Sequence, residues 1–224
     1  LAALNALRPF TPQEVTGLGG AQSFFAPNLQ SAMLRNDQRV WGVPWTTYLY
    51  IALYRRDLLQ RAGVDEQTAF ATAEAMTATL ERLRGAGISS PLVVPSGGSF
   101  RGRLHIAANW VWGAGGDFVS EDGHQALFNQ PEARAGFRAF FELYRHLAPG
   151  DVGLAQVDCL RRFARGEAAV VIAGAESPDT VRGWNENQAV LDNLGVAILP
   201  GVPWVGGSNI VISSDLRAFT EREK

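Results

Sequence analysis

Tyr48-Leu49-Tyr50-Ile51-Ala52-Leu53-Tyr54, running on into Arg55-Arg56-Asp57-Leu58-Leu59-Gln60-Arg61-Ala62-Gly63, reads as a strand followed by a helix. The first part is a continuous apolar stretch of the kind that forms a buried strand. Asp57 to Ala62 is a short helix, with Gly63 placed as its left-handed cap. Just upstream, Val40 to Trp45 is an apolar run with breakers, read as a separate strand entering a turn. Further upstream, Asn28 to Arg35 has helical spacing, and Leu1 to Leu7 reads as the end of a helix broken by Pro9 and Pro12.

Downstream the same alternation continues. In Gln67 to Arg84, Phe70, Ala73, Met76, Leu80 and Leu83 step by three and four, which predicts an amphipathic helix. Leu92 to Val94 is a short strand, and Arg103 to Trp112 a helix closed by glycines. Phe118-Val119 and Gln125 to Phe128 flank the turn signal Glu121-Asp122-Gly123, and the unit reads as a hairpin. Pro131 opens a helix to Leu147, with Ala133, Phe137, Phe140, Phe141, Tyr144 and Leu147 on its buried side. Asp158 is a candidate N-cap for a helix to Arg165, stopped by Gly166. Ala168 to Ala173 is a buried strand, and Ser177-Pro178 starts a helix ending near Trp184. Leu194 to Leu199 and Asn209 to Ser213 are strands. Short strands alternating with helices argue for α/β layers.

Composition sets the class. The chain has 224 residues, 46% hydrophobic and 19% charged, with a formal net charge of −2. That is enough apolar material for a packed core. Lys and Arg form no basic stripe, which argues against nucleic acid. Cys159 is the one cysteine, so the fold relies on no internal disulfide. No apolar run approaches the roughly 20 residues of a membrane helix. Leu1 to Arg8 has none of the features of a secretion leader, which leaves either an intracellular protein or one whose leader lies outside this sequence.

A search for chemistry is negative. His105, His124 and His146 sit in no metal-ligand spacing, and Cys159 has no metal-type neighbour. No nucleophile elbow occurs. Ser96 to Gly102 lacks the ending of a phosphate loop, and Gly17 to Gly20 follows no predicted strand. No catalytic residue, metal ligand or cofactor site is assigned, which favours binding over catalysis.

Four patches in order carry a resemblance. They are Trp41-Gly42-Val43-Pro44-Trp45 with Leu53 to Leu59 and Ala62-Gly63-Val64; Gly115-Gly116-Asp117 with Phe128 to Ala133; Phe163 to Val170; and Leu199-Pro200-Gly201 with Gly206-Gly207-Ser208-Asn209. Together they resemble the family 1 extracellular solute-binding proteins of ABC transporters, the group that contains maltose-binding protein. The resemblance implies a two-lobed α/β fold of the periplasmic-binding-protein type II kind, with ligand held between the lobes. It implies residues 45–205 as most of one lobe, and 1–44 and 206–224 as pieces of the other, with further family segments before and after this sequence. It implies a carbohydrate ligand, ABC permease subunits as partners, action as a monomer, and a periplasmic or extracellular location with or without a lipid anchor. A carbohydrate-active enzyme and a sensory receptor domain on a similar scaffold are the alternatives.

Sugars offer apolar C–H faces and a rim of hydroxyls, so flat aromatic rings and planar polar groups suit them. By the resemblance, Trp45 and Tyr48, Trp110, and Trp204 with Gly207, Ser208 and Asn209 are candidate ligand contacts. Gly207 is expected to let backbone approach the ligand, with Ser208 and Asn209 donating and accepting. Core packing is the competing role for each tryptophan. Trp110 and Trp112 lie on different faces of one helix, so at most one can face a ligand. After the strand at 168–173, where the family often has Gly-Pro-Trp, this sequence has Gly174-Ala175-Glu176. That makes Glu176 either a charged acceptor for ligand or a solvated acid. Asp117 is a cleft acid or a turn residue.

Overall fold

The computed structural model describes residues 1–34, 37–98 and 100–215. In chain order its strands and α-helices are β1 (Leu7–Arg8), α1 (Pro12–Gly17), α2 (Ala26–Ser31), β2 (Val43–Arg55), α3 (Arg56–Arg61), α4 (Ala73–Gly85), β3 (Leu92–Val93), α5 (Phe100–Gly113), α6 (Pro131–Glu142), α7 (Gln156–Ala164), β4 (Val170–Gly174), α8 (Ser177–Trp184), α9 (Gln188–Asp192), β5 (Leu194–Ile198), β6 (Val205–Ile210) and β7 (Ile212–Ser213). The chain forms two compact units. One is Leu1–Tyr48 with the chain from Val205 on, and the other is Leu49–Trp204.

The larger unit is an α/β sheet of order β3-β4-β2-β5. β3 and β4 are parallel, and β2 runs antiparallel to both β4 and β5. Side chains alternate across β2. Ile51 and Leu53 join Val93, Val171 and Ala173 on a face covered by Cys159, Leu160 and Phe163 of α7, Val181 of α8 and Val190 of α9. On the opposite face Tyr54 packs on Phe70 at 5.0 Å. Gly195, opposite Tyr54 in the register, has no room for a side chain, since a Cβ there would lie 2.2 Å from the Tyr54 ring. The α5–α6 contact is equally close. A Cβ on Gly136 would come within 2.5 Å of the Trp110 carbonyl and of the Val111 Cα.

In the smaller unit, β1 pairs antiparallel with β7, and the first residues of β2 pair with β6. α1 is fixed by a capping box: the Thr11 hydroxyl accepts from Glu14 N at 3.2 Å, and Glu14 accepts from Thr11 N at 2.7 Å.

Several local expectations are corrected. Leu1 to Leu7 is no helix end but a 3-10 turn at Ala2–Leu4 leading to β1, because Ala6, Leu7 and Arg8 are taken up by β7 and Ser214. Pro12 opens α1 rather than only breaking a helix. The helix expected at 28–35 is Ala26–Ser31, and Arg35 lies outside the described residues. No turn separates Val40–Trp45 from Tyr48–Tyr54: one strand runs from Val43 to Arg55, with Pro44 tolerated near its start. Helix α4 starts at Ala73 rather than Gln67, because Thr72 caps it by accepting from Ala75 N at 3.1 Å. The hairpin at 118–128 is reduced to the single bridge Val119–Ala126. Helix α6 tightens to 3-10 geometry after Glu142, and Phe141 is 55% exposed rather than buried. Asp158 lies in the first turn of α7 and is not its cap, which is Ala155.

Candidate functional site

In the larger unit the register gathers candidate residues at one end of the sheet. Tyr50 pairs with Gly174, and Ala175 N donates to Leu49 O at 3.0 Å. Glu176 follows directly, exposed, at the carboxyl end of β4 where the chain turns into α8. Trp204 ends the loop that leaves β5. In open α/β sheets this carboxyl end is where ligands are held.

Trp204 is mounted from α5. Its ring stacks on His105 with centroids 3.9 Å apart and planes 9° from parallel. Tyr50 lies at 6.1 Å, tilted by 44°. The Trp204 backbone N–H donates to Asn109 Oδ1 at 2.9 Å. The Asn109 carbonyl accepts from Val202 N at 3.1 Å, and its amide donates to Ile106 O at 2.8 Å. Gly201, at φ 90°, is required there, since a Cβ would lie 2.1 Å from the Asn109 carbonyl. Burial and the nearby Arg101 guanidinium hold the His105 pKa below that of a free imidazole.

In the smaller unit, Trp45 and Tyr48 of β2 and Gly207, Ser208 and Asn209 of β6 are brought onto paired strands. Trp45 is 73% exposed. Ser208 N donates to Thr46 Oγ1 at 3.1 Å, and Asn209 Nδ2 to Ser31 Oγ at 3.3 Å. Gly207 serves a closer approach than the one expected of it. Its missing Cβ would sit 1.9 Å from the Thr46 carbonyl, so the glycine is explained by strand pairing rather than by a ligand. Asn28, buried behind this pair, donates to Gly206 O at 3.0 Å.

Trp110 is committed to packing, and Asp117 to a turn. Trp110 is 3% exposed and lies against Phe140 at 5.3 Å, which removes it from the candidate set. Asp117 accepts from Trp112 Nε1 at 3.0 Å and from Phe118 N at 2.7 Å, the pattern of a turn residue. Trp41 is buried and donates to Asp37. Sequence reasoning missed Tyr50, His105 and Asn109. The available signal was the i, i+4 spacing of His105 and Asn109, which puts two polar residues on one face of α5. Among the described residues no group of acidic, His or Cys side chains could hold a metal ion. No described helix is long and apolar enough to cross a membrane.

The arrangement is an α/β fold of the periplasmic-binding-protein type II kind, and comparison with solved structures agrees. The chain is similar to maltose-bound MalE3 of T. maritima (24% identity, TM-score 0.75, 93% of this chain and 53% of that one). It is similar to the sugar-binding protein MalE of Xanthomonas citri (19%, 0.78, 99% and 56%). It is similar also to UgpB of Mycobacterium tuberculosis in complex with glycerophosphocholine (17%, 0.71, 96% and 52%). It thus spans about half the length of these proteins. No curated protein matches it in sequence. The model of the bacterial extracellular solute-binding proteins matches residues 2–216, and the chain belongs to that family.

Proposed function

We propose that this chain is the solute-capturing part of an ABC importer, that its solute is a carbohydrate, and that it delivers the solute to the permease without chemical change. The observation that carries the reading is the mounting of Trp204. Its indole is held face to face on His105, and its backbone is fixed to Asn109. A rigid indole at the carboxyl end of a sheet suits the apolar face of a sugar ring. Tyr50, His105 and Asn109 are therefore as much part of the proposed site as Trp204.

Two further observations support the carbohydrate assignment. Trp45 presents a large, exposed ring on strand β2, which pairs with β6, the strand that carries Ser208 and Asn209. Several structural neighbours carry sugars or polyols, among them maltose, tagatose and mannitol. We assign Glu176 and Trp204 as ligand contacts on the larger unit, and Trp45, Tyr48, Ser208 and Asn209 as candidate contacts on the smaller unit. Glu176 then accepts hydrogen bonds from ligand hydroxyls in the place where the family often stacks a tryptophan. The protein acts as a monomer in the periplasm or at the cell surface.

The test is a thermal-shift screen of the full chain against maltose, chitobiose, mannitol, tagatose and glycerophosphocholine. A ligand that binds only the folded state raises the melting temperature. A shift with one of the first four supports the reading. A shift with glycerophosphocholine alone keeps the binding function and removes the carbohydrate, and no shift with any of the five counts against this solute class.

A further inference from the structure

We infer that His105 is a positioning residue for ligand binding: it sets the plane of Trp204, against which the solute stacks. The inference rests on the carbohydrate reading above. Three observations lead to it. The 3.9 Å centroid separation and 9° interplanar angle describe two rings stacked face to face, so His105 lies against one face of the indole. A solute stacking on Trp204 therefore meets the opposite face, and the orientation of that face is fixed by the imidazole behind it. Trp204 ends a loop, and the backbone bond to Asn109 anchors its N–H without fixing the side-chain torsions. His105 itself projects from a 14-residue helix, α5, a rigid support one turn from the Asn109 bracket.

The ring need only be flat and of the right size. A phenyl ring at 105 keeps the stacking surface, whereas leucine keeps the bulk and loses the flat face. The experiment compares wild type, His105→Phe, His105→Leu and Trp204→Ala. Two readouts are taken on the full chain: the indole N–H resonances in a 1H–15N correlation spectrum without solute, and the affinity for whichever of maltose, chitobiose, mannitol or tagatose gives the largest thermal shift. Trp204→Ala identifies the Trp204 resonance. The expected result is that His105→Leu moves or broadens that resonance and weakens binding about tenfold. His105→Phe restores both, while all variants melt cooperatively. An unmoved Trp204 resonance in His105→Leu overturns the inference, and so does a moved resonance with unchanged affinity. If no solute binds wild type, the carbohydrate reading fails, and the ligand role of His105 with it. If wild type binds and Trp204→Ala binds equally well, the stacking surface is elsewhere and the inference also fails.

Discussion

Cys159 is fully buried among Phe163, Leu160 and Val171, and burial pushes its thiol up to about 12. A thiol held protonated is a poor nucleophile. Ellman's reagent should leave native protein unmodified and react once per chain only after denaturation; rapid native labelling would show that the α7 face opens. Two histidines contribute to the acid limb of stability. His105 is shifted down by burial and Arg101, and His146 by burial and then by Arg145 and Arg84. The His146 ring accepts from Arg145 Nε at 3.2 Å, which requires a neutral Nε2. Both groups bind protons more weakly folded than unfolded, where an imidazole titrates near pH ~6.5. Their stabilisation is complete above that pH and is lost as pH falls through the folded values. Melting temperature should therefore drop between pH 7.5 and 5.5, and less so in His105→Phe. An identical drop in that variant would assign the acid limb to other groups.

At the scale of elements, the α5–α6 crossing depends on Gly136. Its absent Cβ leaves room for the Trp110 carbonyl and the Val111 Cα, both backbone atoms of a packed helix that cannot step aside. Gly136→Ala should cost ~1–3 kcal/mol by overpacking, although alanine is the better helix former. The neighbouring exposed Ala135→Ser should be close to neutral, and denaturant melts of the two variants decide it. Much of the element order could be read from sequence, because buried strands such as Val170–Gly174 and capped helices such as Arg56–Arg61 carry strong local signals. Long-range pairing defeated the rest. Pro44 looked like a turn, yet it sits in the first part of β2, whose partner β6 lies some 160 residues away in the chain, as in the bond from Ser208 to Thr46 (162 residues apart). The α4 start was missed because periodicity runs through Phe70 while Thr72 competes locally as a cap. The site shows the same division. Motifs single out Glu176 and Trp204 as candidates, but the mount beneath Trp204 depends on where α5 meets the loop after β5.

For the whole molecule, the sheet of the larger unit is held by the cluster around Phe163, Leu53 and Val171. Phe163 is 0% exposed, and Phe163→Ala should cost ~3–5 kcal/mol, enough to threaten the fold of that unit. Membership of the solute-binding family, together with a mounted indole, supports the proposal of solute capture. The most direct test of that claim is a calorimetric titration of the full chain with the carbohydrate that shifts its melting most, followed by analysis of the sugar released on denaturation. Saturable binding at one site per chain, weakened by Trp204→Ala, with the sugar recovered intact, is the expected result. Binding unaffected by Trp204→Ala, or recovery of a cleaved sugar, would contradict it.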